Sequence, residues 1–323
     1  MRYIIIGAGA VGGSISACLS ASGHHVVLVA RGSHYEAIRD NGLRFETPDS
    51  VEVVQVPVVS DPSDAHITAD DVVLLAVKSQ DTEGALSSLI GNAPLDTPIV
   101  CLQNGVENER VALRRFARVY GGMVIVPATY LSPGTVSVGS SPMLGICDVG
   151  AYPNGSDEIS KDLAAALVAS RWSSEAVPDI MRIKYAKLLE NLSNALQIAL
   201  GLDQRNSDVG TIVRDEGVAC LEAAGIDYAQ SSEMRERRAR SLSARPVSGQ
   251  TRLGASTWQS VARGTGNVET DYLNGEIALL GRIHGIPTPA NALLQAISAD
   301  VTSGRRASGS MSEEEFRSTL TNY

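Results

Sequence analysis

The chain has 323 residues, 44% of them hydrophobic, and a formal net charge of −9. That length exceeds what one core usually organises, so two domains are expected, and the acidic balance disfavours nucleic acid as a partner. No run of about eighteen apolar residues occurs, so no membrane-spanning helix is expected. Cys18, Cys101, Cys147 and Cys220 form no CxxC pair, which fits reduced, mostly buried thiols. The five histidines show no ligand spacing, so no metal is expected.

Arg2–Ile6 reads as a buried strand and runs directly into Gly7-Ala8-Gly9-Ala10-Val11-Gly12. A helix from Gly12 to about Ala21 and a second strand, His25 to Ala30, follow. In such a strand-turn-helix Gly7 permits the tight turn and Gly9 lets the backbone approach a pyrophosphate. Gly12 brings helix and strand together, and the helix N-terminus faces the phosphates. All six residues, Gly7, Ala8, Gly9, Ala10, Val11 and Gly12, are therefore assigned to cofactor binding. An NAD site usually has an acid at the end of the second strand, ~20 residues after the glycines. Here the strand delivers Arg31, whose guanidinium suits a 2′-phosphate, so the expected cofactor is NADP(H). Because the fingerprint begins so close to Met1, no cleavable leader is expected and the cytoplasm is the expected location.

Further along, Val51–Val59 reads as extended. Asp71–Val77 reads as a buried strand ending at Lys78, with Ser79 as the cap of a helix through Ile90. Pro98–Leu102 is the next strand, leading to Gln103-Asn104-Gly105, and Glu107–Arg115 a helix. Met123–Tyr130 and Thr135–Val138 suggest a hairpin around Pro133-Gly134. Met143–Val149, a helix over Asp157–Ala169 and a short strand at Ser174–Val177 complete an α/β half. From Pro178 onward the pattern is helical: Asp179–Gly201, Gly210–Ala224, Ser231–Ser243, Asn267–His284 and a last helix from Ser312, where Glu315 makes a capping box. The run Arg235–Arg240 has acids interleaved and reads as a solvated face. The fold class is thus an α/β, Rossmann-like domain with a mainly parallel sheet over residues 1–177, followed by an all-α domain over 178–323.

On a helical plot of Asp179–Gly201, Met181, Tyr185, Leu188, Leu189, Leu192, Ala195, Leu196 and Ala199 gather as a core face. Lys187, Asn191 and Asn194 lie opposite, beside Ile180, Ile183 and Ile198. Spacing alone does not separate a solvated face from one turned toward a ligand. Only four of the 27 basic residues are lysines, and a titratable ammonium cannot be replaced by guanidinium. That rarity draws attention to Lys78 and Lys187.

The fingerprint, Arg31, Val77-Lys78, Gln103-Asn104-Gly105, Lys187-Leu188-x-x-Asn191 and Glu269-Thr270-Asp271-Tyr272-Leu273-Asn274-Gly275 occur in an order that resembles the ketopantoate reductase (2-dehydropantoate 2-reductase) family. His284-Gly285-Ile286-Pro287-Thr288-Pro289 is similar to that family's next segment. The resemblance implies NADPH-dependent reduction of a 2-oxo acid, 2-dehydropantoate to pantoate, in pantothenate biosynthesis. It implies that Lys187 is the catalytic acid, that Glu269 contacts substrate, and that Lys78 and Asn104 border the nicotinamide site. Asn191, Asn194 and Ser256 or Thr257 would then offer donors to the substrate carboxylate. The family commonly has a second asparagine followed by proline where Ala195 and Leu196 stand here, so another small 2-oxo acid or carbonyl compound is a second expectation. A dehydrogenase of opines or 3-hydroxy acids and a non-catalytic NADP-binding sensor are the rival readings. Homodimerisation is left open.

Overall fold

The computed structural model describes residues 1–130, 132–202, 207–247, 254, 258–259, 261 and 268–321. They form two compact units, Met1–Lys184 with Gln230–Arg252, and Tyr185–Ala229 with Leu253–Tyr323.

The first unit is built on a seven-stranded sheet. Its strands are β1 (Arg2–Ile6), β2 (His25–Val29), β5 (Val58–Val59), β6 (Asp71–Leu75), β7 (Ile99–Cys101), β8 (Val119–Ile125) and β11 (Ile146–Ala151), in the order β11-β8-β7-β6-β1-β2-β5. All neighbours pair parallel except β11, which runs antiparallel to β8. The mainly parallel sheet is as expected. Period-two alternation sorts its side chains into two cores. Tyr3, Ile5, Leu28, Val72 and Leu74 face one way, toward α1 (Ala10–Ala21) and α5 (Glu158–Ala169). Ile4, Ile6, Val29, Val73 and Leu75 face the other way, toward α3 (Thr82–Leu89) and α4 (Asn108–Leu113). Chain order reverses between β1 and β6: β1, β2 and β5 grow one side, and β6 returns to the other edge of β1.

A second sheet was not foreseen. It contains β3 (Leu43–Glu46), β4 (Val51–Val54), β9 (Ala128–Thr129) and β10 (Thr135–Val138), in the order β4-β3-β10-β9. The single extended run expected over Val51–Val59 divides, β4 joining this sheet and β5 the large one. Pro57 interrupts it, because proline cannot donate to a ladder. The expected hairpin exists as the short antiparallel pairing of β9 with β10, while Met123–Ile125 belongs to β8 instead. Leu43, Phe45, Val136 and Val138 pack into the same core as α1, so α1 is covered on both sides. Helix α2 (Gly32–Asn41) also escaped the sequence reading. Ser173–Val177 pairs with β11 only through isolated bridges.

The sequence boundary at residue 178 and the compact units differ for identifiable reasons. Ile180 is fully buried, and Cβ atoms at Gly121 and Gly150 would come within 3.1 and 2.9 Å of it. Helix α6 (Ile180–Asn191) therefore starts on the first unit's sheet. The first unit also reclaims α9 (Ser231–Ser241). Arg237 of α9 is 8% exposed, its Nε donating to Asp148 Oδ2 at 3.0 Å and its Nη1 to Ser173 Oγ at 2.7 Å. Its Nη2 completes a fork on Asp148. The basic run is thus not wholly a solvated face, since one arginine in it holds the helix on β11.

The second unit, taken by itself, is helical among its described residues. It contains the continuation of α6, a 3-10 turn at Leu192–Ala195, α7 (Leu196–Ala199), α8 (Asp208–Ala223) and helices over Asn274–His284, Pro289–Thr302 and Glu313–Leu320. Pro289–Thr302 had no counterpart in the sequence reading, although proline at a first helical position is favourable. Beyond Gly201, the described residues make one β-bridge, Ala244 to Ser140. Gly217 lets α8 approach α6 closely, because a Cβ there would meet Leu189 at 2.7 Å and Leu192 at 2.8 Å. Ser312 Oγ accepts from Glu315 N at 3.1 Å, which makes the N-cap half of the expected capping box. No described helix is long and apolar enough to cross a membrane.

Removing Arg237 would leave the Asp148 carboxylate buried without its cation. Arg237→Ala should therefore destabilise the protein by about 3–5 kcal/mol, whereas Arg235→Ala, on the exposed side of α9, should stay within about 0.5 kcal/mol of wild type. Urea denaturation checks both, and equal small losses would show that the fork does not hold the helix.

Candidate active site

Four of the expected site segments stand at the carboxyl ends of neighbouring parallel strands: Gly7–Gly12 after β1, Arg31 after β2, Lys78 after β6 and Asn104 after β7. They span the point where chain order reverses, β2 lying on one side of β1 and β6 and β7 on the other. Ligands of open α/β sheets bind at such a switch point.

The fingerprint glycines have separate physical reasons. Gly7 has φ +105, and a Cβ there would come within 2.9 Å of Val77 N. Gly12 is more constrained still, because its Cβ would lie 2.0 Å from Gly7 O and 2.8 Å from Ala76 Cβ. Gly9, the N-cap of α1, has ordinary extended backbone, and a Cβ built on it meets nothing within 4 Å. Space is therefore open beside Gly9, next to a helix N-terminus with no acid in its first turn. The first N–H groups of a helix lack intrahelical partners and favour an anion, so Gly9, Ala10, Val11 and Gly12 form a fitting cradle for a pyrophosphate. Arg31 is exposed at the N-cap of α2.

The backbone of Asn104 is held by buried polar neighbours, one of which, Ser79, directly follows Lys78. Ser79, the expected cap of α3, does not cap it; the N-cap position is Asp81. Ser79 Oγ donates instead to Asn104 O at 3.1 Å. Asn108 Nδ2 donates to the same carbonyl at 3.1 Å and to Ser79 Oγ at 3.2 Å. Thr82 Oγ1 donates to Asn108 Oδ1 at 2.7 Å and accepts from Gln103 Nε2 at 3.0 Å. The ends of β6 and β7 are thereby tied into one hydrogen-bonded block.

Lys184 joins that block. It is 4% exposed, and its ammonium donates to Gln103 O at 3.2 Å and Cys101 O at 3.4 Å and pairs with Glu109. Full burial pushes the Glu109 carboxyl above its usual range, while the Lys184 ammonium pulls the other way. Lysine scarcity could have flagged Lys184, yet the sequence reading passed it over for Lys78 and Lys187.

In the second unit, Lys187 and Asn191 are half-buried on α6, one turn apart. The uninterrupted helix expected through Gly201 gives way to a 3-10 turn at Leu192–Ala195. Residues three apart eclipse in that geometry, which brings Asn194 over Asn191, with Nδ2 3.4 Å from Asn191 Oδ1. Asn194 is buried and its Oδ1 has no partner among the described residues. The helical plot is corrected at Ile180 and Ile198, which are fully buried rather than on a polar side. Glu269 opens a 3-10 turn over Glu269–Tyr272 and is half-buried. Five residues on, Asn274 Nδ2 donates to Leu192 O at 3.1 Å and to Asn291 Oδ1 at 2.9 Å. Ser256 and Thr257 lie outside the described residues.

Among the described residues there is no group of three or more side chains able to hold a metal ion.

The family model described as "Ketopantoate reductase PanE/ApbA" matches residues 3–154, and its C-terminal companion matches residues 179–301. A 2-dehydropantoate 2-reductase from Pyrococcus horikoshii is 28% identical over 306 residues, which is 92% of this chain and 96% of that protein. The crystal structure of a PanE/ApbA family ketopantoate reductase from Ralstonia eutropha superposes with a TM-score of 0.79 at 30% identity, covering 94% of this chain and 99% of that one. D-mandelate dehydrogenase, solved with NADH and anilino(oxo)acetate, shares the fold with a TM-score of 0.81 at 21% identity, again over 94% and 99% of the two chains.

The glycines yield a graded expectation. Gly12→Ala forces a Cβ into a backbone carbonyl and should cost more than about 3 kcal/mol, at the severe end for single substitutions. Gly9→Ala should change stability by no more than about 1 kcal/mol, because its backbone already suits alanine. Thermal unfolding of the two variants separates them. Similar losses in both would contradict the packing described.

Proposed function

The chain belongs to the ketopantoate reductase family, and from that premise we propose that it is an NADPH-dependent 2-dehydropantoate 2-reductase that forms pantoate for pantothenate biosynthesis. The observation carrying the proposal is the bond from Asn274 to Leu192 O. It ties Asn274 of Glu269-x-Asp271-Tyr272-x-Asn274-Gly275 to the residue that immediately follows Lys187-x-x-x-Asn191, within one helical unit. The open space beside Gly9 and the uncompensated N-terminus of α1 support a dinucleotide on the first unit. NADPH over NADH is supported by the exposed cation Arg31 where an NAD site would carry an acid.

When bound, the nicotinamide supplies a hydride to the carbonyl carbon of the 2-oxo acid. Lys187 donates a proton to the carbonyl oxygen as negative charge builds there. Asn191 and Asn194, eclipsed by the 3-10 turn, offer amide donors to the substrate, and Ser256 or Thr257 a hydroxyl. Glu269 accepts a hydrogen bond from the substrate hydroxyl and orients it. Lys78 and Asn104, next to the Ser79–Asn108 block, border the nicotinamide.

One observation favours a second reading, a different small 2-oxo acid. Ala195 and Leu196 are apolar core residues, 2% and 0% exposed, so neither supplies the second amide and proline common in the family, and Asn194 is one residue out of that register. Oxidation of NADPH measured with 2-dehydropantoate and a panel of 2-oxo acids decides. Preference for another acid would replace the substrate, and no turnover of any would favour a sensor.

Arg31→Ala should weaken NADPH by about 1.5–3 kcal/mol, the contribution of a hydrogen bond to a charged group, and leave NADH nearly unchanged. Cofactor titration reads this, and equal loss for both would remove the 2′-phosphate assignment. Lys187→Ala should keep the fold and cofactor affinity while lowering kcat by roughly 10²–10⁴-fold, the usual contribution of a positioned acid. Lys187→Arg should not restore it, since guanidinium gives up its proton poorly. Near-normal kcat in Lys187→Ala would mean that the proton comes from elsewhere.

A further inference from the structure

His34 is the third residue of α2, and its ring lies 7% exposed inside the first unit. Both ring nitrogens are engaged by backbone groups of opposite kind. Nε2 is 2.7 Å from the carbonyl oxygen of Ala8, inside the glycine fingerprint. Nδ1 accepts from Gly134 N at 2.8 Å. A carbonyl can only accept and an amide N–H only donate, so the two contacts together define the neutral imidazole with its proton on Nε2. Burial pushes the His34 pKa down, in keeping with that neutral form. The Tyr130 ring packs 4.5 Å from it, centroid to centroid.

Both ends of this bridge are at conformationally demanding places. Ala8 sits between Gly7, with φ +105, and Gly9, the N-cap of α1. A trans peptide is planar, so its C=O and the next N–H point in opposite directions. Holding Ala8 O against His34 therefore turns the Gly9 N–H away from His34 and removes the freedom of that peptide plane to rotate. At the other end Gly134 has φ +76, and a Cβ there would come within 3.0 Å of Ala37 Cβ on α2. Only glycine brings this turn close enough for its N–H to reach the ring. The N-cap of the same helix is Arg31, three residues before His34, so one short element carries the cation and the brace of the phosphate loop.

We propose that His34 is a positioning residue of the dinucleotide site, whose Nε2–H holds the Ala8 carbonyl and thereby presets the fingerprint loop for the pyrophosphate. It touches neither the reacting atoms nor, by this account, the cofactor. The proposal rests on the dinucleotide reading above, and it predicts an effect common to NADPH and NADH, unlike that of Arg31.

Two half-replacements separate the ring's contacts. In His34→Gln the introduced amide can place a nitrogen near the position of Nε2 and keep a donor for Ala8. His34→Asn can place an oxygen near Nδ1 and keep an acceptor for Gly134, but it loses the donor. Dissociation constants for NADPH and NADH, read by fluorescence, are compared with urea stability and with kcat at saturating NADPH. The expected result is that His34→Asn weakens both dinucleotides by about tenfold, the scale of one hydrogen bond, with kcat at saturation retained. His34→Gln should stay within about twofold of wild type in affinity, even where both variants lose similar stability. Unchanged affinity in His34→Asn, or losses in both variants that follow stability alone, would overturn the positioning role. Wild-type protein that binds neither dinucleotide would overturn the cofactor reading along with it, an outcome distinguishable from the other two.

Discussion

The tightest constraint on the first unit is the contact between Gly12 and the carbonyl of Gly7, where a single added carbon would fall 2.0 Å from an oxygen. Because no side chain separates them, α1 lies directly against the end of β1, and its N-terminus opens at the carboxyl edge of the sheet. The second sheet then covers α1 from the other side. A Cβ at Gly13 would meet Val136 Cγ2 at 2.7 Å, so α1 is confined between two layers and its N-terminal turn inherits their rigidity. Close helix–sheet packing thus determines where an anion can be received, and Gly9 remains the fingerprint glycine with room beside it.

Around this contact, each neighbouring strand end is fixed by its own polar ties. Gly7 N donates to Val29 O at 3.1 Å and Ala76 N to Ile6 O at 2.9 Å, which continues the ladder past the formal strand ends. On the β6–β7 side, Ser79, Thr82, Asn108 and the Nε2 of Gln103 bond to one another away from water, so most of their desolvation is offset by hydrogen bonds, while the buried Gln103 Oε1 has no partner among the described residues. Lys78 and Asn104 thereby start from a rigid base, as a site that must hold sub-ångström geometry requires.

The sequence made some of this legible and hid the rest for physical reasons. The parallel strands could be read because buried strands are continuous apolar runs, and the fingerprint because its glycines have steric causes. The second sheet was hidden because its strands are short and drawn from distant segments; β3 pairs with β10, a long-range register that no local pattern encodes. Ser79 looked like a cap because caps are local, whereas its partner, Asn104, comes from the next strand. In the second unit Lys187 and Asn191 could be placed by period, but the shift to 3-10 winding that stacks Asn194 on Asn191 depends on tertiary contacts. Asn274 was quoted as part of a motif without a role, since its bond to Leu192 O becomes visible only when the chain has folded back.

The cations show how acceptor geometry chooses between two residue types of equal charge. Arg237 meets the Asp148 carboxylate in a fork, two serine hydroxyls, Ser173 and Ser241, and the Glu175 carboxylate at 3.6 Å, a spread of acceptors that a flat guanidinium with fixed donors can satisfy at once. Lys184 meets the carbonyls of Cys101 and Gln103 and the carboxylate of Glu109, three acceptors converging on one point. A tetrahedral ammonium supplies three donors from a single atom, and a guanidinium in that space would need a larger, flatter cavity. In a chain that uses arginine for most of its positive charge, lysine fits the shape of this site, three residues ahead of Lys187 on the same helix. Rarity of lysine therefore marks two different demands, a compact buried anchor at Lys184 and, on our reading, a transferable proton at Lys187. Only the surroundings of each side chain separate the two.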